Sequence, residues 1–163
     1  MAHAIALFNT PKVVGEALLF QRKNGVVIKA AFTKLPQGKH GFHIHKAGDL
    51  RGDGCKGACD HWHKGQSTVH GGPPSSNAAR HTGDLGNIEM KGSEPLEIEY
   101  FLRKVTVEEL YGRSIIVHAD EDDYGEGEHE DSKTTGHSGA RIACAIIGRT
   151  LEGCVAKSTR KLK

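Results

Sequence analysis

Aromatic residues are scarce in this chain: one Trp, three Tyr and five Phe among 163 residues. Long apolar runs are missing too, and no segment approaches the roughly 20 apolar residues that a membrane-spanning helix needs. No sustained 3.6-residue apolar period and no internal repeat can be found, which speaks against a helical bundle. An excess of one charge is also lacking. The 22 Lys and Arg nearly balance 20 Asp and Glu, so the net charge of +2 does not point to nucleic acid. The N-terminal stretch Met-Ala-His-Ala-Ile-Ala-Leu-Phe has no basic segment and too short an apolar run for a secretory signal. The expectation is a soluble cytoplasmic protein in which Cys55, Cys59, Cys144 and Cys154 are thiols by default.

Glycine, by contrast, is abundant at 21. Many turns between short strands give that composition. Residues 5–8 and 16–21 are short apolar runs, and Asn24-Gly25 is a strong hairpin signal before the β-branched run 26–32. Residues 96–102 alternate apolar and polar with period 2, and 114–118 and 141–148 are two more strands. Residues 106–110 can hold one helical turn. Two stretches break the pattern. Residues 47–80 are rich in Gly, Ser, His, Lys and Asp, and a loop of that length in a compact domain is usually functional. Residues 120–131 carry eight carboxylates and no Lys or Arg. The chain length suits one domain over 1–150, followed by a basic tail over 151–163.

Histidines gather where the strands meet these loops. In Gly41-Phe42-His43-Ile44-His45 two imidazoles share one strand face, with Phe42 and Ile44 on the other. His61, His70 and His81 follow, with Asp84 three residues after the last, and Ile115-Ile116-Val117 ends in His118. Imidazole with carboxylate is a ligand set for zinc and copper. His43, His45 and His118 can serve one ion. His70, His81 and Asp84 suit zinc, with His61 as a further ligand. Seven ligands for two four-coordinate ions require one to be shared, and an imidazole has two nitrogens. His3, His40, His63, His129 and His137 read as polar loop residues. A zinc finger on Cys55-x3-Cys59 and His61-x-His63 is the competing arrangement, but it leaves the other histidines unexplained.

These motifs resemble the copper/zinc superoxide dismutases. The shared stretches include Gly41-Phe42-His43-Ile44-His45, His70-Gly71-Gly72-Pro73, Arg80-His81-Thr82-Gly83-Asp84-Leu85-Gly86-Asn87, Gly112-Arg113-Ser114-Ile115-Ile116-Val117-His118, Asp122-Asp123 and Gly139-Ala140-Arg141-Ile142-Ala143-Cys144. They follow in family order over about 4–148. The resemblance implies an all-β, eight-stranded Greek-key barrel or sandwich. Its metal-binding loop would span about 47–81 and its acidic electrostatic loop about 119–139. It implies copper on His43, His45, His61 and His118, and zinc on His61, His70, His81 and Asp84. It implies a Cys55–Cys144 disulfide, Arg141 attracting superoxide, and Asp122 bonded to His43 and His70. Superoxide would be converted to O2 and H2O2 through alternate reduction and oxidation of copper, with His61 carrying a proton.

The chain departs from the family pattern at several places. Arg149, Tyr111 and Ala47 replace apolar residues of the relatives' dimer face, so a homodimer would use an altered interface. A copper-delivery chaperone is the other protein partner implied; no nucleic acid or membrane is expected. Lys46 stands where an acid is common, and Lys133 is the expected substitute for a steering lysine in the acidic loop. Cys59 and Cys154 have no counterpart and read as free thiols. The alternative function is a catalytically silent homologue or a copper-delivery protein. Such a protein would be expected to lack a copper ligand or Arg141, or to add a Cys-x-x-Cys module.

Overall fold

A computed structural model describes residues 1–65, 69–75 and 79–152. Strands β1 (Ala4–Asn9), β2 (Val14–Arg22) and β3 (Gly25–Lys34) form a meander. The β2–β3 turn is Lys23-Asn24, so Gly25 opens β3 rather than sitting in the turn. Strand β4 (Gly38–His45) leads into the first long loop, which contains a 3-10 turn at Asp53–Ala58. Then come β5 (Asp84–Met90), β6 (Leu96–Arg103), a helical turn α1 (Val107–Leu110) and β7 (Ser114–His118). The acidic loop holds a second turn, α2 (Ser132–Thr135), before β8 (Arg141–Ile146) and β9 (Gly148–Arg149).

The strands make two antiparallel sheets ordered β6-β3-β2-β1-β9 and β5-β4-β7-β8. The non-sequential pairs β3–β6 and β4–β7 give the Greek-key crossing. At Ile147 the last strand leaves the second sheet and joins β1 in the first. Counted as one strand that changes sheets, β8 and β9 complete the expected eight. Between the sheets lies an aliphatic core around four rings, Phe8, Phe32, Phe42 and Tyr100, with centroids 5.4–6.4 Å apart.

Sequence reading assigned no strand to 84–90. The reason is a bulge: Gly86 has φ +90°, and the β4–β5 register shifts between Gly41 and His43. Leu85 therefore points inward out of phase with Ile88 and Met90, and the period-2 signal is lost. Strand β4 positions the site. Phe42 and Ile44 are fully buried in the core, while His43 and His45 are buried on the opposite face beneath the loops. Where β5 stops, the first loop takes its place against β4. The N–H of Trp62 donates to Ile44 O at 2.7 Å, and that of Ile44 donates to Gly83 O at 2.8 Å. Across this loop Cys55 is disulfide-bonded to Cys144 of β8.

Candidate metal centre

Seven side chains converge at the end of the β4–β7 ladder, each 7% exposed or less. They fall into two groups whose ligand atoms all lie within 4.8 Å of one another: His43, His45, His61 and His118, and His61, His70, His81 and Asp84. His43 and His45 come from β4, His118 from the end of the adjacent β7, and His61, His70 and His81 from the long loop. His61 alone belongs to both groups.

Ring orientation separates the nitrogens by job. His45 Nδ1 bonds Cys59 O at 2.7 Å, His118 Nδ1 bonds Gly139 O at 3.2 Å, and His43 Nε2 bonds Asp122 Oδ2 at 2.7 Å. Each of these contacts directs the ring's other nitrogen inward. The resulting set, His43 Nδ1 with Nε2 of His45, His61 and His118, is buried and has no hydrogen-bond partner in the protein. Leaving one such atom unpaired costs about 1–3 kcal/mol. Four together fit a cation that accepts imidazole lone pairs. In the second group His61 Nδ1 lies 2.8 Å and His70 Nδ1 3.1 Å from Asp84 Oδ1. His81 Nδ1 lies 3.2 Å from Asp84 Oδ2, out of line for a hydrogen bond. Three nitrogens and one carboxylate at that spacing fit zinc.

Electrostatics favour metal over protons in the first group. Burial, reinforced by neighbouring imidazoles, holds His43 and His45 well below the ordinary histidine range. Burial also lowers His61, and lowers His118 to about 3. Neutral imidazoles are the ligating form. The second group is built differently. Burial pushes Asp84 up, but the imidazoles of His61, His70 and His81 around it outweigh that and hold the carboxylate far below its usual range. Burial lowers His70, yet the carboxylates of Asp122 and Asp84 raise it to about 9.

Asp122, 1% exposed, joins the groups: its Oδ1 bonds His70 Nε2 at 2.8 Å while Oδ2 holds His43. Asn87 clamps Asp122 in turn, accepting its N–H at 2.7 Å and donating to its carbonyl at 2.8 Å. Gly136, at φ +68°, lets the acidic loop close here, since a Cβ would strike the Asp122 carboxylate and the His70 ring. Arg141 starts β8. Its two terminal nitrogens donate to Cys55 O at 2.8 Å and Cys59 O at 2.7 Å. A cavity of about 630 Å³ opens above His45, His61 and His118, lined also by Arg141 and Lys46.

Several sequence expectations change. His40 is no loop residue: it is 4% exposed on β4, with Nδ1 2.9 Å from His118 O and Nε2 3.0 Å from Pro36 O. Alternation with Phe42 and Ile44 carried that signal. Asn87 had no role assigned. His63 lies outside both groups, and its Nδ1 accepts the N–H of Thr82 at 3.0 Å. The zinc-finger arrangement fails because Cys55 is in the disulfide and Cys59 is an exposed thiol. Lys133 donates to Gly125 O and, among the described residues, is not part of the cavity wall. Cys154 and the basic tail segment 157–163 lie outside the described residues.

A Greek-key β-sandwich with two adjoining sets of buried imidazole and carboxylate is a metalloprotein of the two-ion type. The sequence pattern of one family, copper/zinc superoxide dismutase, matches residues 13–147, and the chain belongs to that family. An extracellular superoxide dismutase [Cu-Zn] of Haemonchus contortus is 45% identical over 143 residues, 86% of this chain and 76% of that protein. The crystal structure of the clock protein EA4 is similar with a TM-score of 0.81 and 33% identity, covering 91% of this chain and 95% of that one. The protein is therefore an oxidoreductase that acts on superoxide with copper and zinc as cofactors.

The expectation of a cytoplasmic protein is overturned by the extracellular relative. The short N-terminal apolar run was a weak guide to compartment. The Cys55–Cys144 disulfide fits an oxidising one.

Proposed function

We propose that copper is held by His43 Nδ1 and by Nε2 of His45, His61 and His118, and zinc by Nδ1 of His61, His70 and His81 with Asp84. The observation that carries this assignment is the His61 ring, whose Nε2 is an unpartnered atom of the first group while its Nδ1 faces Asp84. Copper, when bound, supplies the one-electron couple by which two superoxide ions and two protons become O2 and H2O2; zinc has no such couple.

The chain's residues do the rest. Arg141 keeps its charge at any working pH. Two carbonyls fix its guanidinium on the cavity wall, where it receives the anion. His61 takes up a proton at Nε2 in one half-cycle and delivers it to the reduced oxygen in the other. Contact of its Nδ1 with the second group keeps the ring placed throughout. Asp122 orients His43 and His70 and so couples the two ions.

The relative's extracellular description and the disulfide support a secreted protein, and residues 1–150 form one domain. A second copy of the chain would pair through the face bearing Ile146, 47% exposed, and Arg149, which stacks 4.2 Å over Tyr111. A charge on that face makes the pairing weaker than an all-apolar interface would be, which sedimentation equilibrium measures. A copper-delivery protein is the other proposed partner.

The test is superoxide removal by protein of quantified copper and zinc content, beside a His118→Ala variant. We expect the variant to lose copper and nearly all activity while keeping zinc. Equal activity in the variant would reject the copper assignment, and an inactive but fully loaded wild type would reject the catalytic roles.

A further inference from the structure

We propose that Lys46 is a second cation that draws superoxide into the cavity, and that Asp60 opposes it. The inference rests on the ligand assignment and on the role of Arg141 given above. Lys46 directly follows His45 and lines the same cavity as Arg141. Its backbone is held on both sides: its N–H donates to Asp60 O at 3.0 Å, and Arg113 donates to its carbonyl at 2.9 Å. The ammonium itself stays half-exposed. It pairs with Asp60 Oδ2 at 3.4 Å, on a side chain 81% exposed. Pairs this open are weak, so the field of Lys46 at the cavity is only partly cancelled.

The charge balance of the wall makes a single residue matter. Lys46 and Arg141 are its cations, and Asp60 and Asp131 its carboxylates. Two against two leaves the described wall formally neutral, with histidines uncharged. Removing Lys46 turns it negative toward an anionic substrate; removing Asp60 turns it positive. Charge from the bound ions is common to every variant. Lys133 cannot take this part, because its ammonium is bound to Gly125 O away from the wall. Arg141 is fixed between two carbonyls and acts at short range, whereas Lys46 stands at the rim in reach of solvent.

The experiment is pulse radiolysis of copper- and zinc-loaded protein across ionic strength, with metal content measured for each variant. At about 10 mM ionic strength, where screening extends over roughly 30 Å, Lys46→Gln should lower the second-order rate constant about two- to fivefold. Lys46→Glu should lower it further, and Asp60→Asn should raise it. All should converge on the wild type near 0.5 M salt, an on-the-order-of value at which the Debye length is only a few ångströms. Lys29→Gln, which removes the same charge from β3 in the sheet without candidate ligands, should follow the wild type. A wild-type salt profile for Lys46→Gln overturns the proposal, as does a loss that persists at high salt and so marks a structural role. A fully loaded wild type that removes no superoxide overturns the ligand and Arg141 assignment beneath it instead.

Discussion

His61 Nδ1 meets the second group while Nε2 meets the first, and the loop backbone fixes the ring through an isolated bridge to His45. Single atoms set the chemistry here, because each ring's outer hydrogen bond decides which nitrogen faces inward. Asp122 is the residue on which most of these bonds depend, since it holds His43 and His70 at once. Asp122→Ala should weaken metal binding about 10–100-fold, the usual effect of losing a carboxylate behind ligating histidines. Competition against a chelator measures it, and wild-type affinity in the variant would contradict the coupling role. His43 and His45 were legible as a pair because a strand puts i and i+2 on one face. Their inward nitrogens do not follow from strand geometry: the Asp122 contact with His43 was implied by the family resemblance alone, and the Cys59 carbonyl that turns His45 lies in no recognisable motif.

At the scale of elements, the long loop is the part with least intrinsic structure and most candidate ligands. Its order comes from three attachments: the strand-like bonds of Trp62 and Gly83 to β4, the Arg141 bonds to Cys55 and Cys59, and the disulfide to β8. The disulfide joins residues 89 apart. Closing a loop of that length stabilises the fold by about 4–5 kcal/mol in the chain-entropy model. Cys144→Ser should therefore lower the melting temperature by many degrees. It should also reduce activity, because Cys55 O is one of the two carbonyls that place Arg141. Calorimetry with an activity assay checks both, and an unchanged melting temperature would show that the other two attachments suffice. Most strands were visible as short apolar or β-branched runs, and β6 as alternation. Strand β5 was not, because the bulge at Gly86 shifts the phase of its inward residues.

For the whole molecule, pH is the condition that reads the buried cluster. His43, His45, His61 and His118 have folded-state values below the ordinary 6.5, with burial as the main cause. A depressed histidine gives its stability fully above pH 6.5 and loses it as pH falls from there toward the folded value, about 3 for His118. His70, raised to about 9, acts in the opposite sense: its contribution is complete below 6.5 and fades as pH rises through 9. Four groups against one decide the direction. Protein stripped of metal by a chelator should melt at progressively lower temperature from pH 7 to pH 5. Protons compete with metal for the same nitrogens, so the loaded protein should release metal over an acid range. A melting temperature flat across pH 5–7 would contradict the burial argument. The β-rich class, the turn-bounded strands, the His-x-His face and the list of candidate ligands all follow from residue type and local spacing, since apolar patterning and ligand chemistry need no knowledge of the rest of the fold. The Cys55–Cys144 bond was implied by the family resemblance and not by spacing. The inward ring nitrogens, the burial of His40 beside His118, the transfer of the last strand at Ile147 and the pairing of Lys46 with Asp60 at the cavity rim come from folding alone. Each depends on where loop and strand segments settle against one another, which residue type and local spacing do not encode.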